Sequence, residues 1–64
     1  MSTAFEYIEI VGISSLSVED AIKNAIAAAK VKHNISWFEV HSTRGRVTQE
    51  GAIEFQVTVK FGCK

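Results

Sequence analysis

The sequence predicts an α+β fold in which a three-stranded antiparallel sheet packs on one α-helix, in the order β-α-β-β. Three patterns carry that prediction. Residues 52–61 alternate strictly, with Ile53, Phe55, Val57, Val59 and Phe61 on one side and Glu54, Gln56, Thr58 and Lys60 on the other. Val18, Ala21, Ile22, Ala25, Ile26 and Ala29 recur at helical spacing and form one stripe. Residues 5–11 alternate again and are rich in aromatic and β-branched side chains.

The first strand is expected from Phe5 to Val11, with Glu6, Ile8 and Ile10 on one face and Phe5, Tyr7, Glu9 and Val11 on the other. Gly12 is expected to end it. Ser17 is the natural N-cap of the helix, because its hydroxyl can accept from a free N–H of the first turn. Ser17-Val18-Glu19-Asp20 resembles a capping box with Asp in the last place. Glu19 and Asp20 suit the positive end of the helix dipole, and Glu19 and Lys23 form an i,i+4 pair. The alanine-rich stripe lets the helix lie close to a sheet. Lys30, Lys32 and His33 bring positive charge to its C-terminus, where Asn34 is expected as a left-handed cap.

The second strand is expected from Ile35 to about Val47 and the third from Ala52 to Phe61, joined by the turn Thr48-Gln49-Glu50-Gly51. A turn centred on Gln49 and Glu50 makes the numbers of facing residues add to about 99. Phe38 and Val40 then join the apolar row of the third strand beneath the helix. Trp37, Glu39 and His41 fall on the opposite face with Gln56, and Gln56 faces Thr43. That far face, with Phe5, Tyr7, Val11 and Trp37 among Glu9, Glu39, His41, Gln56 and Thr58, is too apolar for water alone and too polar for a core. It reads as a surface that meets partners or a ligand.

Composition narrows the function. The 64 residues read as one domain, 1–64, with a small core. The single cysteine, Cys63, excludes an intrachain disulfide, and the two histidines and Cys63 lack zinc spacing. Oligomerisation is therefore the expected further source of stability. The formal charge is zero, with seven basic and seven acidic side chains, which disfavours nucleic-acid binding. No apolar run approaches a membrane span. The N-terminal residues do not read as a secretory signal, so a cytoplasmic protein is expected. No nucleophile sits with a base, and neither Glu39 nor Glu54 reads as half of an acid–base pair, so no catalytic residue is expected.

Trp37-Phe38-Glu39-Val40, Arg44-Gly45, Gly51-Ala52 and Glu54-Phe55-Gln56-Val57-Thr58-Val59-Lys60 follow one another in an order and spacing that resemble the dodecin family. The segment Ile8-Glu9-Ile10-Val11-Gly12-Ile13-Ser14 is similar too, so the likeness covers about Tyr7 to Gly62. The resemblance implies a subunit of a hollow homododecamer that binds flavin, FMN in bacterial members and riboflavin-like molecules in archaeal ones. It implies storage or sequestration, a carrier or buffer without catalysis. Flavins in the family stack in pairs between tryptophans of two subunits, and Trp37 matches that tryptophan. Gln56 matches the glutamine that hydrogen-bonds the polar edge of the flavin ring. Some bacterial members also bind coenzyme A. Members often continue past the third strand with further residues, including an Arg, whereas this sequence ends at Gly62-Cys63-Lys64.

The residues themselves keep alternatives open. An indole offers a flat face for an isoalloxazine ring, and equally an anchor for a second subunit. A glutamine amide donates and accepts at once, which suits a flavin's pyrimidine edge, and a solvated strand. Arg44 and Arg46 have the guanidinium fork that suits the phosphate of FMN or coenzyme A, or they form a solvated pair or an intersubunit bridge to Glu50 or Glu54. On the predicted register Trp37 and Gln56 lie six residues apart along the strand, about 20 Å. Unless a bulge near Gly45 intervenes, a site using both must be built between subunits. The rivals are a purely structural or interaction oligomer without flavin, and a small flavin-dependent redox enzyme.

Overall fold

The computed structural model describes residues 6–63. The chain runs β1 (Glu6–Ser14), α1 (Val18–Lys30), β2 (Ile35–Val47) and β3 (Ile53–Cys63). The sheet is antiparallel, with β3 between β1 and β2. The predicted β-α-β-β architecture is therefore present.

The first strand outruns its expected end, and the expected Phe5 start lies outside the described residues. β1 continues through Gly12 to Ser14, and Gly12 pairs with Val57. Gly12 is there for close approach rather than termination: a Cβ at this position would overlap the carbonyl oxygen of Ala21 and come within 3.0 Å of the Ala25 Cβ. Sequence reasoning took the glycine as punctuation, although an interior strand glycine also marks a close neighbour.

The link to the helix is short and hydrogen-bonded at Ser14, Leu16 and Ser17. The Ser14 hydroxyl donates to Asp20 Oδ2 at 2.7 Å and accepts from the Leu16 N–H at 2.9 Å. Ser17 caps α1 as expected, accepting from the Asp20 N–H at 2.9 Å. The Asn24 amide donates to the Ile13 carbonyl at 2.8 Å, tying α1 to β1. Ala21, Ala25 and Ala29 are buried against Val57, Val59 and Phe61, and Ile8, Ile10, Val18, Ile22, Ile26 and Ile35 fill the margins. Cys63 ends the core at the far side and is buried. The C-terminus of α1 departs from expectation. Val31 caps it in right-handed conformation, the His33 N–H reaches the Ala29 carbonyl at 3.1 Å, and no described non-glycine residue has positive φ. Asn34 is thus not a left-handed cap, because a further right-handed turn already serves that carbonyl.

The β2–β3 hairpin also departs from the simple register. Between Val47 and Ser42 the paired numbers follow Val47↔Ile53 and Arg44↔Gln56, and between Val40 and Trp37 they follow Val40↔Val59 and Trp37↔Gly62. Two features cause this. The turn holds three residues between Thr48 and Ala52, since the Thr48 N–H donates to the Ala52 carbonyl at 2.8 Å, and Gly51 takes a φ of 86° to close it. The additional residue is then absorbed by a bulge at His41, and a second bulge lies at Ser36. The predicted pairing holds for Phe38 and Val40 and fails nearer the turn, where Gln56 faces Arg44 rather than Thr43. The bulge lies at His41, not near Gly45, and His41 is the unpaired residue.

Phe38 and Val40 lie on the helix side of the sheet, but not beneath the helix. They are 50% and 39% exposed, and Ile53 is 55% exposed. Simple lengths explain this: a 13-residue helix spans about 20 Å and a 13-residue strand about 43 Å. α1 covers β1 and the Phe61 half of β3 and barely meets β2. The hairpin projects beyond it, which gives the molecule its 53 × 19 × 15 Å form.

Candidate functional site

The sheet face away from α1 carries the four candidate binding residues, Trp37, Gln56, Arg44 and Arg46. Pairing orders it in rows across β1, β3 and β2: Tyr7, Gly62, Trp37; then Glu9, Lys60, Glu39; then Val11, Thr58, Ser42; then Ile13, Gln56, Arg44; and last Glu54 beside Arg46. In an unbulged ladder Arg44 and Arg46 would share the side of Phe38 and Val40. The bulge at His41 changes the phase and brings both arginines to the Trp37 side.

The first row is an aromatic platform. The Trp37 indole rests against Gly62, where a Cβ would overlap its Cε2, Nε1 and Cζ2 atoms. Gly62 therefore seats the indole on the strand, and the side chain remains 42% exposed. Tyr7, on the other side of Gly62, is exposed and carries the Lys60 ammonium over its ring at 4.2 Å from the centroid. Such a contact is worth ~0.5–1 kcal/mol at an exposed site. Sequence reasoning did not single out Gly62. In the sequence it fell just past the expected end of the third strand at Phe61, but β3 runs on to Cys63 and so includes it.

The polar end is organised around Glu54. Glu54 Oε1 accepts from Arg46 Nε at 2.9 Å and from Gln56 Nε2 at 3.0 Å. These two donors, Gln56 first and Arg46 second, hold the Glu54 carboxyl below the usual carboxylate range. Arg46 thus pairs with Glu54 of its own chain, whereas the sequence pointed to a phosphate contact, a solvated pair or a bridge to another subunit. Arg44 makes no ion pair among the described residues.

The two ends do not meet in one chain. Gly62, beside Trp37, and Gln56 are six residues apart on β3, about 20 Å at ordinary strand rise. The bulge does not shorten that path, because it lies on β2. Among the described residues no group of three or more His, Cys, Asp or Glu side chains is placed to hold a metal ion. Among the described residues no helix is long and apolar enough to cross a membrane.

What this face can do is offer a stacking surface at one end and a donor–acceptor amide with a guanidinium at the other. Comparison with known proteins gives that surface a lineage. The family model described as Dodecin matches residues 5–64. A Dodecin of Thermus thermophilus is 36% identical over 63 residues, which is 97% of this chain and 91% of that protein. A crystal structure of a Thermus thermophilus protein superposes with a TM-score of 0.83 at 34% identity, over 94% of this chain and 90% of that one. The dodecin of Streptomyces coelicolor does so with 0.84 at 32% identity, over 98% and 93%. With the family model spanning the site and the fold, the chain belongs to the dodecin family.

Proposed function

We propose that this protein binds a flavin, FMN or riboflavin, in a homododecamer, and holds it as a cytoplasmic carrier or buffer without turnover. The observation that carries the reading is the half-exposed Trp37 indole, seated on Gly62 at one end of a face whose other end presents Gln56 and Arg44. Offset stacking on an indole favours a flat aromatic ring. The Gln56 carbonyl oxygen has no partner among the described residues and suits the N–H of a flavin's pyrimidine edge. Arg44, opposite Gln56, is the better of the two arginines for a phosphate, because Arg46 is engaged by Glu54. Coenzyme A would draw on the same guanidinium.

The distance between Trp37 and Gln56 supports a site built from more than one subunit. So does the apolar surface left open on the other side, where Phe38, Val40, Val47 and Ile53 are uncovered. A 64-residue chain with so small a core gains stability by burying such surface. The single unpaired thiol, Cys63, fits a reducing compartment.

The test is titration of FMN with the apo-protein, followed by flavin fluorescence, beside a Trp37→Ala variant. An indole in contact quenches an excited flavin by electron transfer. Saturable quenching that the substitution abolishes supports the reading. Unchanged fluorescence at micromolar protein sinks it and leaves an assembly in which Trp37 is an interface anchor.

A further inference from the structure

We infer that Glu54 and Arg46 are positioning residues that fix the Gln56 amide to select one ligand chemistry: a ring imide edge, in which an N–H lies beside a carbonyl oxygen. The inference rests on the proposed flavin site and adds the basis of its selectivity.

The geometry is a relay of three side chains on one face. Gln56 and Glu54 are two residues apart on β3, so they point the same way. Arg46 lies opposite Glu54 across the β2–β3 pair, and Arg44 lies opposite Gln56. One carboxylate oxygen, Glu54 Oε1, receives both Arg46 Nε and Gln56 Nε2, at 2.9 and 3.0 Å. A carboxylate accepts only, so the amide must present its NH2 end to Glu54. The carbonyl end of Gln56 is thereby turned away from Glu54.

That constraint decides what Gln56 can recognise. An amide has two donor hydrogens and one acceptor oxygen. Glu54 takes one hydrogen. With Glu54 on the hydrogen trans to the oxygen, the cis hydrogen and the oxygen remain side by side as a donor–acceptor pair. The pair complements a ring N–H next to a ring carbonyl. Without Glu54 the amide rotates freely, and either end meets the ligand. Arg46 supplies the opposing charge that holds Glu54 in place. Glu54 is ionised at neutral pH like any ordinary carboxylate, and its two hydrogen bonds favour that form further. The three-residue turn and the bulge at His41 set the local register that puts Arg46 opposite Glu54 rather than one residue away.

Riboflavin and its N3-methyl derivative separate this from a surface salt bridge, since neither carries a phosphate and only the first offers the imide N–H. Both are titrated against the assembled full-length parent, Glu54→Ala and Arg46→Met, with far-UV circular dichroism and elution volume confirming the fold. The parent should prefer riboflavin by roughly tenfold, the range for leaving a buried polar group unpaired. Each variant should lose riboflavin affinity about fivefold, hold the N3-methyl compound as the parent does, and keep the quenching at saturation that reports Trp37. Parent-like discrimination in both variants overturns the inference while the flavin site stands. Equal loss for both ligands also overturns it, because that marks a merely structural role. A parent that binds neither compound removes the flavin site, and the inference with it.

Discussion

Gly12→Ala tests whether the helix–sheet spacing is set by the bare backbone of β1. The new Cβ would overlap the Ala21 carbonyl oxygen and stand 2.9 Å from the Ala21 carbonyl carbon and 3.0 Å from the Ala25 Cβ. Two of these three atoms are backbone, so no rotamer change relieves them. Restoring an ordinary carbon–oxygen contact moves α1 outward by roughly 1.5 Å. Ala21, Ala25 and Ala29 are 0%, 1% and 0% exposed, so all three contacts open together. A gap of about 0.5–1 Å already forfeits a quarter to a half of each dispersion contact. Overpacking of this kind costs ~1–3 kcal/mol. The backbone entropy gained by replacing glycine returns only ~0.5–1 kcal/mol. The expected net loss is about 1 kcal/mol, against ~3–5 kcal/mol for a core of this size. Urea unfolding at one fixed protein concentration, followed by far-UV circular dichroism, measures it. Gly45→Ala is the control. Its Cβ meets only the Glu54 carbonyl oxygen, at 3.3 Å, and should change stability by less than about 0.5 kcal/mol. Equal midpoints for the two variants would refute the close-approach argument.

Gly62→Ala should leave the fold intact, because the atoms it displaces belong to a side chain that can swing outward. The Trp37 emission should shift red and become more accessible to acrylamide, and flavin quenching should weaken. Ser17→Ala removes the acceptor of the Asp20 N–H and should cost about 1 kcal/mol, read from the same urea transition. Glu54 has a depressed pKa in the folded chain. Its contribution to stability is therefore present above the ordinary carboxylate pKa and is lost as pH falls through the lower folded value. Carboxyl NMR titration should show Gln56→Leu raising that pKa more than Arg46→Met does; no change in either variant would contradict the shared-oxygen arrangement.

The alternation of Ile53 to Phe61 and the stripe from Val18 to Ala29 were legible in the sequence because each repeats its period several times. The Ser17 cap was legible because one hydroxyl stands where the first free N–H groups must be. Register near the turn was not. It depends on whether Gly51 counts as part of the turn or the strand, and on where an edge strand discards a residue, and His41 has no chemical mark of a bulge. The two shifts cancel at Trp37, so its face could be read correctly from a uniform ladder. The phase of Arg44 and Arg46 could not. Nor could the extent of the core, since Phe38 and Val40 have the right side but lie beyond the reach of a helix half as long as their strand. Gly12 and Gly62 were visible as glycines, but what they admit, a helix in one case and an indole in the other, is a tertiary fact.

The two bulges in β2 bear on how the molecule avoids fibrous aggregation. β2 lies at the margin of the sheet, and its thirteen residues pair with eleven of β3, so Ser36 and His41 interrupt its ladder. A flat, regular margin would present an unbroken row of N–H and C=O groups to any passing strand. Here that row is broken twice, and the strand bends and twists at each break. Chains with so much open apolar surface are thereby steered toward docking by their faces, and away from adding strand to strand without end.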